Sequence, residues 1–216
     1  MIQAIIFDYG NVIARFDHAI FYNTIARHSS LPLDELKALA RHQYDLLLRY
    51  ETGGMTSDEF CSVVMEVCRV SMTRDEFQQA FVDIFERIPA TIELVKQLKP
   101  HYKLGLLSNT NEWHFQGEMQ TLDIFPLFDA VTLSYHVGAL KPDERMYRDM
   151  LHKLSLPPES CLYIDDIADY VAAAQRLGIR ALHYTTHEDL LSSLRELGVR
   201  VSGYPPQPLA RRRALD

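Results

Sequence analysis

The sequence contains little cysteine. Three of its 216 residues are cysteines (Cys61, Cys68 and Cys161), and none belongs to a Cys-x-x-Cys pair. An odd number of unpaired cysteines argues against a disulfide framework and is typical of a reducing compartment. Cys61 and Cys68 lie seven residues apart in a helical stretch, so we interpret them as core residues rather than ligands. We therefore expect a cytoplasmic protein.

Long apolar runs and long basic runs are also missing. No stretch approaches the roughly 18 apolar residues of a membrane span, and the N-terminus lacks the basic region of a signal peptide. The formal net charge of −7 disfavours binding to the phosphates of a nucleic acid. The one basic run, residues 211–213, follows three prolines, and we interpret it as a solvated end of the chain. The sequence thus argues against membrane and nucleic-acid partners.

Five short apolar runs alternate with helical patterns. The runs cover residues 4–7, 104–107, 130–133, 162–164 and 180–184, and each is short enough to be a buried parallel strand. Between and after them, Pro142 suits the first turn of a helix, Gly178 suits a helix end, and Thr186 with Asp189 suits a helix start. This alternation predicts a doubly wound α/β fold with a parallel, Rossmann-like sheet.

The segment from about Asp17 to Arg87 breaks the alternation. It contains capping-box patterns at residues 56–59 and 73–76, and helical patterns over residues 19–28 and 34–49. These features predict about four helices and no strand. We therefore divide the chain into three parts, which are an α/β core, an inserted helical domain and a flexible tail: residues 1–15 with 88–200, residues 16–87, and residues 201–216.

Three of the five predicted strands end in polar residues, which are Asp8, Ser108 with Asn109, and Asp165 with Asp166. Each feature alone could be a turn or a helix cap. The adjacent carboxylates of Asp165 and Asp166 are harder to explain in that way, because they repel each other unless a cation or a donor compensates. Ligands of open α/β sheets bind beyond the carboxyl ends of the strands. This edge of the sheet is the predicted functional site.

The residues at this edge suit phosphoryl transfer. The carboxylate of Asp8 can attack phosphorus, and water would hydrolyse the acyl phosphate formed on it. Mg²⁺ prefers hard oxygen ligands such as adjacent carboxylates. Together with Lys141 (on its own an ordinary surface lysine) and the hydroxyl of Ser108, the metal would neutralise the equatorial oxygens of the transferred group.

Four segments resemble, in order, the four motifs of the haloacid dehalogenase superfamily. They are Phe7-Asp8-Tyr9-Gly10-Asn11-Val12, Leu107-Ser108-Asn109-Thr110, Lys141-Pro142 and Tyr163-Ile164-Asp165-Asp166. The resemblance spans residues 2–197, and the helical insert stands where that superfamily carries its C1-type cap. The motif forms, together with Glu51-Thr52-Gly53, look most similar to the α-glucose-1-phosphate phosphatase-like subgroup.

The resemblance implies a role for each residue of the first three motifs. Asp8 would be the nucleophile and a metal ligand, and Gly10 would bind the metal through its backbone carbonyl. Ser108 and the backbone of Asn109 would bind the phosphate group. Lys141 would pair with both the phosphate and Asp8. The substrate implied is a small phosphorylated metabolite.

The fourth motif implies the remaining metal ligands. Asp166 would bind Mg²⁺, and Asp165 would act on the metal directly or through water. Gly178 follows Asp166 by twelve residues, which is the spacing that the superfamily shows between its metal aspartate and a later glycine. That register favours Asp166 as the inner ligand.

Two positions depart from the superfamily pattern. Most of its phosphatases carry a second aspartate two residues after the nucleophile as general acid and base, whereas this chain has Gly10. Tyr170 stands where aspartate or asparagine is usual, one place after Asp169. A missing acid predicts slow turnover, a good leaving group such as the anomeric oxygen of a sugar 1-phosphate, or a replacement acid. The candidate replacements are His18, His42, Tyr44 and Glu51.

Two other functions are compatible with such a chain. The dehalogenases of the superfamily need no metal, but their first motif has tyrosine one place later than Tyr9, and Asp165 with Asp166 favours a metal site. A catalytically weakened binding or regulatory protein would explain Gly10 and Tyr170. Mg²⁺-dependent release of phosphate from a chromogenic ester distinguishes these possibilities from a phosphatase.

Overall fold

Seven strands form two sheets in residues 1–202, the part of the chain that the structure, a computed structural model, describes. They are β1 (Ala4–Phe7), β2 (Ala14–Phe16), β3 (Phe85–Arg87), β4 (Lys103–Ser108), β5 (Ala130–Leu133), β6 (Cys161–Asp165) and β7 (Arg180–His183). The larger sheet has the order β5-β4-β1-β6-β7, and every pairing in it is parallel. Each predicted strand is present within one residue of its expected ends, so the α/β fold is confirmed.

Eleven α-helices occur in the same described residues. They are α1 (His18–Ala26), α2 (Leu33–His42), α3 (Tyr44–Glu51), α4 (Ser57–Val67), α5 (Arg74–Val82), α6 (Pro89–Leu98), α7 (Glu112–Gly117), α8 (Ser134–Val137), α9 (Glu144–Leu154), α10 (Ala168–Arg176) and α11 (His187–Glu196). None of them combines the length and the apolar character that a bilayer crossing requires.

Local capping explains several helix ends. Thr186 accepts a hydrogen bond from the Asp189 N–H at 3.1 Å at the start of α11, and Gly178 follows α10 with φ of 83°, as predicted. The placement of Pro142 in a first helical turn was wrong. The N-cap of α9 is Asp143, whose side chain accepts from the Arg145 N–H at 2.9 Å, so the helix begins after the proline.

Side chains cover both faces of the parallel sheet. Along β1, Ile5 and Phe7 belong to one buried cluster with residues of α6 and α11. Ala4 and Ile6 belong to a second cluster with residues of α9 and α10. This alternation follows from the two-residue period of a strand, and it makes β1 the centre of the hydrophobic core.

The inserted helical segment differs from its prediction in two respects. The expected helix over residues 34–49 is interrupted at Gln43 (φ −101°, ψ 22°), which separates α2 from α3 and gives five helices in place of four. Gln43 is neither glycine nor proline, so no local sequence signal marks this break. The expectation of no strand was also wrong, because β3 pairs with β2 in an antiparallel ribbon. Strands of three residues carry almost no periodic signal.

Helices α1–α5, which we call the helical region, pack around a hydrophobic cluster of their own. One member of this cluster comes from elsewhere, because Trp113 of α7 is 2% exposed and packs among the aromatic rings of the region. The neighbouring His114 contacts the Phe81 carbonyl through Nε2 at 2.9 Å. Helix α7, which follows β4 of the sheet in the chain, thus contacts the helical region through Trp113 and His114.

The C-terminal end of the described chain also packs against the sheet side of the molecule. Val201 is buried in the first core cluster, and the Ser202 N–H donates to the Gln97 carbonyl at 3.3 Å. The rest of the predicted tail, residues 203–216 with the three arginines, lies outside the described residues.

The position of Trp113 predicts how the two parts unfold. Since it is the single tryptophan of the chain and lies between α7 and the helical region, its fluorescence reports their contact. We expect the urea transition followed by tryptophan fluorescence to coincide with the transition followed by far-ultraviolet circular dichroism. A fluorescence midpoint clearly below the circular dichroism midpoint would show that the helical region separates before the sheet unfolds.

Candidate active site

The carboxyl ends of three neighbouring strands meet at one edge of the sheet. Strand β1 lies between β4 and β6, so Asp8 after β1, Ser108 at the end of β4 and Asp165 at the end of β6 come together there. Lys141 reaches the same point from the segment between α8 and α9. A cavity of about 390 Å³ opens at this edge and is lined by residues of the sheet ends and of α3.

Lys141 is the centre of the site. Its residue is 2% exposed, and its ammonium donates to Asp8 Oδ1 and Asp165 Oδ2, each at 2.7 Å. It also lies 3.0 Å from the Tyr163 hydroxyl and 3.3 Å from the Leu107 carbonyl. A buried ammonium is stable only when such acceptors replace water. The interpretation of Lys141 as a surface lysine is therefore excluded.

The backbone of Lys141 is held as firmly as its side chain. Asn109 accepts from the Lys141 N–H through Oδ1 at 2.8 Å and donates to the Lys141 carbonyl through Nδ2 at 3.2 Å. The ring of Tyr170 covers the ammonium, with 5.0 Å between Nζ and the ring centroid, a cation–π distance. Tyr170, which departs from the superfamily pattern, thus belongs to the site.

Three carboxylates at this edge could hold a metal ion. One oxygen atom from each of Asp8, Asp165 and Asp166 lies within 4.8 Å of the others. A single lysine does not balance three carboxylates, and hard oxygen donors in this arrangement fit Mg²⁺. Gly10, two residues after Asp8 in the chain, lines the same cavity. The residues present therefore fit the predicted cation.

The two adjacent aspartates have different surroundings. Asp165 is fully buried. Its Oδ1 accepts from the Ile167 N–H at 2.8 Å, and its Oδ2 accepts from Lys141 and from the Tyr163 hydroxyl. Asp166 lines the cavity and accepts from Asn11 Nδ2 at 2.9 Å. Protein donors thus occupy Asp165, while Asp166 is the freer of the two for a metal ion.

Burial perturbs the charges of the central pair. It is the largest effect on Asp8 and raises the pKa of this carboxyl to about 7, although Lys141 opposes the shift. Burial also disfavours the charged form of Lys141, but Asp8 and Asp165 outweigh it, so the pKa of the ammonium is raised. Lys141 is accordingly protonated, and a cation beside Asp8 would favour its ionised form.

Some of the other predicted residues line the cavity, and some do not. Ser108 is buried, and its hydroxyl donates to the Asn109 carbonyl at 3.3 Å. It is not among the residues that line the cavity. Of the four candidate acids, Tyr44 and Glu51 line the cavity, whereas His18 lines a separate apolar cavity of about 470 Å³ inside the helical region. His42 lines neither of these two cavities and lies exposed at the end of α2.

Two residues of the site, Tyr163 and Asn11, have partners that the sequence did not predict. Tyr163 lies two residues before Asp165 on β6, and the two-residue period of a strand could have placed both on one face. Asn11 has φ of 54°, a left-handed conformation that asparagine tolerates better than most residues, and this conformation allows its side chain to reach Asp166. Asn11 belongs to the first motif and Tyr163 to the fourth, but no spacing rule identifies their partners.

The chain is similar in sequence to a family of hydrolases and to two phosphatases. A family model described as haloacid dehalogenase-like hydrolase matches residues 5–183. A D-ribitol-5-phosphate phosphatase of Bacteroides thetaiotaomicron is 27% identical over an alignment of 191 residues that covers 82% of this chain and 89% of that protein. A phosphatase of Mycobacterium tuberculosis is 28% identical over 221 residues, covering 95% of this chain and 99% of that protein.

Solved structures show the same fold. A haloacid dehalogenase family enzyme from Bacteroides thetaiotaomicron has a TM-score of 0.80 at 22% identity, covering 89% of this chain and 98% of its own. The wild-type form of that enzyme in complex with magnesium and inorganic phosphate has a TM-score of 0.76 at 21% identity, covering 86% and 95%.

The unequal surroundings of Asp165 and Asp166 predict opposite effects of their substitution. Asp166→Ala should weaken Mg²⁺ binding about 10-fold to 100-fold with little loss of stability. Asp165→Ala should lower the free energy of unfolding by about 3–5 kcal/mol, because it removes one partner of a buried ion pair, and should affect Mg²⁺ less. Calorimetric Mg²⁺ titration and urea unfolding of both variants measure the two effects. If Asp165→Ala loses more Mg²⁺ affinity than Asp166→Ala, then Asp165 and not Asp166 is the inner metal ligand.

Proposed function

The chain belongs to the haloacid dehalogenase-like hydrolase family, and from this premise we propose that it is a Mg²⁺-dependent phosphatase that hydrolyses a small phosphorylated metabolite through a phosphoaspartyl intermediate on Asp8. The observation that carries the proposal is the 2.7 Å contact between Asp8 and the buried Lys141, which line a cavity together with Asp166. Such a constellation joins a carboxylate nucleophile to a fixed positive charge.

The relatives support the phosphatase assignment. Two of them are named phosphatases and cover most of the chain, and a structure with the same fold was solved with magnesium and inorganic phosphate. Asp8, Asp166 and the Gly10 carbonyl would hold Mg²⁺ here. When bound, the metal would supply positive charge to the phosphoryl oxygens and to Asp8.

The first chemical step follows from the contacts of Asp8. Lys141 donates to Oδ1 of Asp8 and orients the carboxylate, which would attack phosphorus in line with the leaving oxygen. The ammonium would also neutralise charge on the transferred group, and Asp165 with Tyr163 would prevent Lys141 from moving away. Water would then hydrolyse the acyl phosphate on Asp8 and restore the carboxylate.

The substrate we propose is a phosphorylated sugar or polyol. The cavity of about 390 Å³ lies within the usual size range of small-molecule sites. A relative from Thermotoga maritima, 24% identical over 196 residues, is named a phosphorylated carbohydrates phosphatase, and the Bacteroides relative is named for a polyol phosphate. A sugar 1-phosphate is the first substrate to test, because its anomeric oxygen leaves readily.

The dehalogenase alternative lacks a supporting observation at the site. Tyr9 is 1% exposed, and its hydroxyl donates to Glu118 Oε1 at 2.9 Å, within the hydrophobic core. It is not among the residues that line the cavity. The binding-protein alternative leaves unexplained why Lys141 is held in the buried arrangement that catalysis requires.

The proposal predicts the behaviour of Asp8→Asn. Hydrolysis of 4-nitrophenyl phosphate should require Mg²⁺, cease with a chelator and fall by at least roughly 10³-fold in the variant, because the amide is a poor nucleophile. The exposed Asp123→Asn, which makes the same chemical change far from the cavity, is the matched control and should retain normal turnover. Near-normal activity of Asp8→Asn, with its fold verified by circular dichroism, would refute the covalent mechanism.

A further inference from the structure

We propose that Glu51, the last residue of α3, is the proton donor to the leaving group and then the base that activates water. The inference rests on the proposed phosphatase function and assigns to the helical region a catalytic residue that the sheet edge lacks. Gly10 has no side chain to donate a proton, Asp8 would be the nucleophile, and Lys141 is committed to two carboxylates.

Glu51 lies on the face of α3 that forms the cavity wall. Tyr44, Leu48 and Glu51 follow one another at spacings of four and three residues, which places them on one side of a helix, and all three line the cavity with Asp8 and Lys141. No hydrogen bond or ion pair to the Glu51 carboxyl occurs among residues 1–202. An unpartnered carboxyl at a ligand cavity is available to a substrate.

The backbone around Glu51 is anchored to the rest of the protein on its N-terminal side. The Tyr50 hydroxyl accepts from the Trp113 N–H at 3.3 Å and lies 2.7 Å from Ser57 Oγ. Ser57 in turn donates to Glu112 at 2.5 Å. Since Glu112 and Trp113 both belong to α7, this chain of contacts ties the end of α3 to the sheet side of the molecule.

The C-terminal side of Glu51 is fixed by close backbone packing. Gly53 has φ of 69°, and a Cβ atom there would lie 2.3 Å from the carbonyl oxygen of Tyr135, in α8. Only glycine permits this approach at a left-handed conformation. Glu51 therefore lies between two contacts with the sheet side, which hold its backbone in position beside the cavity.

The protonation state of Glu51 suits the role. Burial raises the pKa of this carboxyl to about 7, so a substantial fraction is protonated at neutral pH and can both give and accept a proton. The other uncommitted acids are poorer donors. Burial raises the pKa of Tyr170 above its usual value, His42 is exposed at the end of α2, and the ring of His18 packs edge-on against Phe16 at 5.2 Å.

The proposed steps balance. As an Asp8 oxygen forms its bond to phosphorus, the bond from phosphorus to the leaving oxygen breaks, and that oxygen takes the proton of the Glu51 carboxyl. The alcohol departs and Glu51 remains as a carboxylate. Water then attacks phosphorus and gives a proton to Glu51 while the bond from Asp8 to phosphorus breaks. Inorganic phosphate is released, and both carboxyl groups return to their starting states.

The test is Glu51→Gln with phosphate monoesters of graded leaving-group pKa, from 4-nitrophenyl through phenyl to methyl phosphate. We expect the phosphorylation step, measured in single turnovers, to slow by about 10²–10⁴-fold for methyl phosphate and by less than about 3-fold for 4-nitrophenyl phosphate, whose leaving group needs no proton. The dependence of rate on leaving-group pKa should be shallow in the wild type and steep in the variant.

The pH dependence of the rates distinguishes a proton donor from a residue that only supports the structure. In the wild type, the ratio of methyl to 4-nitrophenyl turnover should fall as the pH rises through about 7, because Glu51 then loses its proton. In Glu51→Gln the ratio should be independent of pH. The other titratable groups that line the cavity are Asp8, Tyr44, Lys141, Asp166 and Tyr170, and Arg49 lies two residues before Glu51 in α3. These groups act on both esters, so their effects cancel in the ratio.

Two controls separate this inference from the proposed function. Glu66→Gln, an exposed substitution of the same kind on α4, should behave as the wild type, and Glu51→Asp should give an intermediate loss because its carboxyl is shorter. If the phosphorylation rate falls equally for all esters in both Glu51 variants, or falls for none of them, Glu51 is not the proton donor. Either result leaves the proposed phosphatase function intact. Absence of 4-nitrophenyl phosphate hydrolysis by the wild-type protein would instead refute the proposed function.

Discussion

The buried ammonium of Lys141 is the constraint on which the rest of the site depends. It donates to Asp8 and Asp165, and removal of the ammonium would leave two buried carboxylates without their shared cation. The partners come from segments that are far apart in the chain, so the contact forms only when β1 and β6 are adjacent and the segment before α9 has reached them. Asn109 and Tyr170 then restrict Lys141 further. The site therefore cannot assemble before these segments of the sheet have come together.

The sequence was sufficient to predict the sheet and the position of its functional edge. Short apolar runs such as residues 4–7 become strands because they are buried on both faces, and a strand that ends in Asp8 or Asp165 must place these carboxylates at the carboxyl edge. The capping boxes at Thr56 and Thr73 form as expected, since their hydrogen bonds join residues only three apart. Features determined by neighbouring residues were thus predictable.

Features determined by residues that are distant in the sequence were not predictable. The interruption at Gln43 and the ribbon of β2 with β3 have no local signal and exist because of tertiary packing. The contact of Trp113 with the helical region joins segments that sequence patterns assign to different parts of the chain. Likewise, the different surroundings of Asp165 and Asp166 depend on which distant donors, Lys141 and Tyr163 or Asn11, reach each carboxylate.

The cavity wall is divided between two parts of the chain, and this division has an evolutionary consequence. Asp8, Lys141 and Asp166 come from the sheet edge, whereas Tyr44, Leu48 and Glu51 come from α3. Every hydrogen-bond partner of the Lys141 side chain lies outside α1–α5. Natural selection can therefore replace Tyr44 and Leu48 and so change which molecules the cavity accepts, without altering the ion pair between Lys141 and Asp8. Descendants of this chain could diversify in specificity while inheriting the same charged centre.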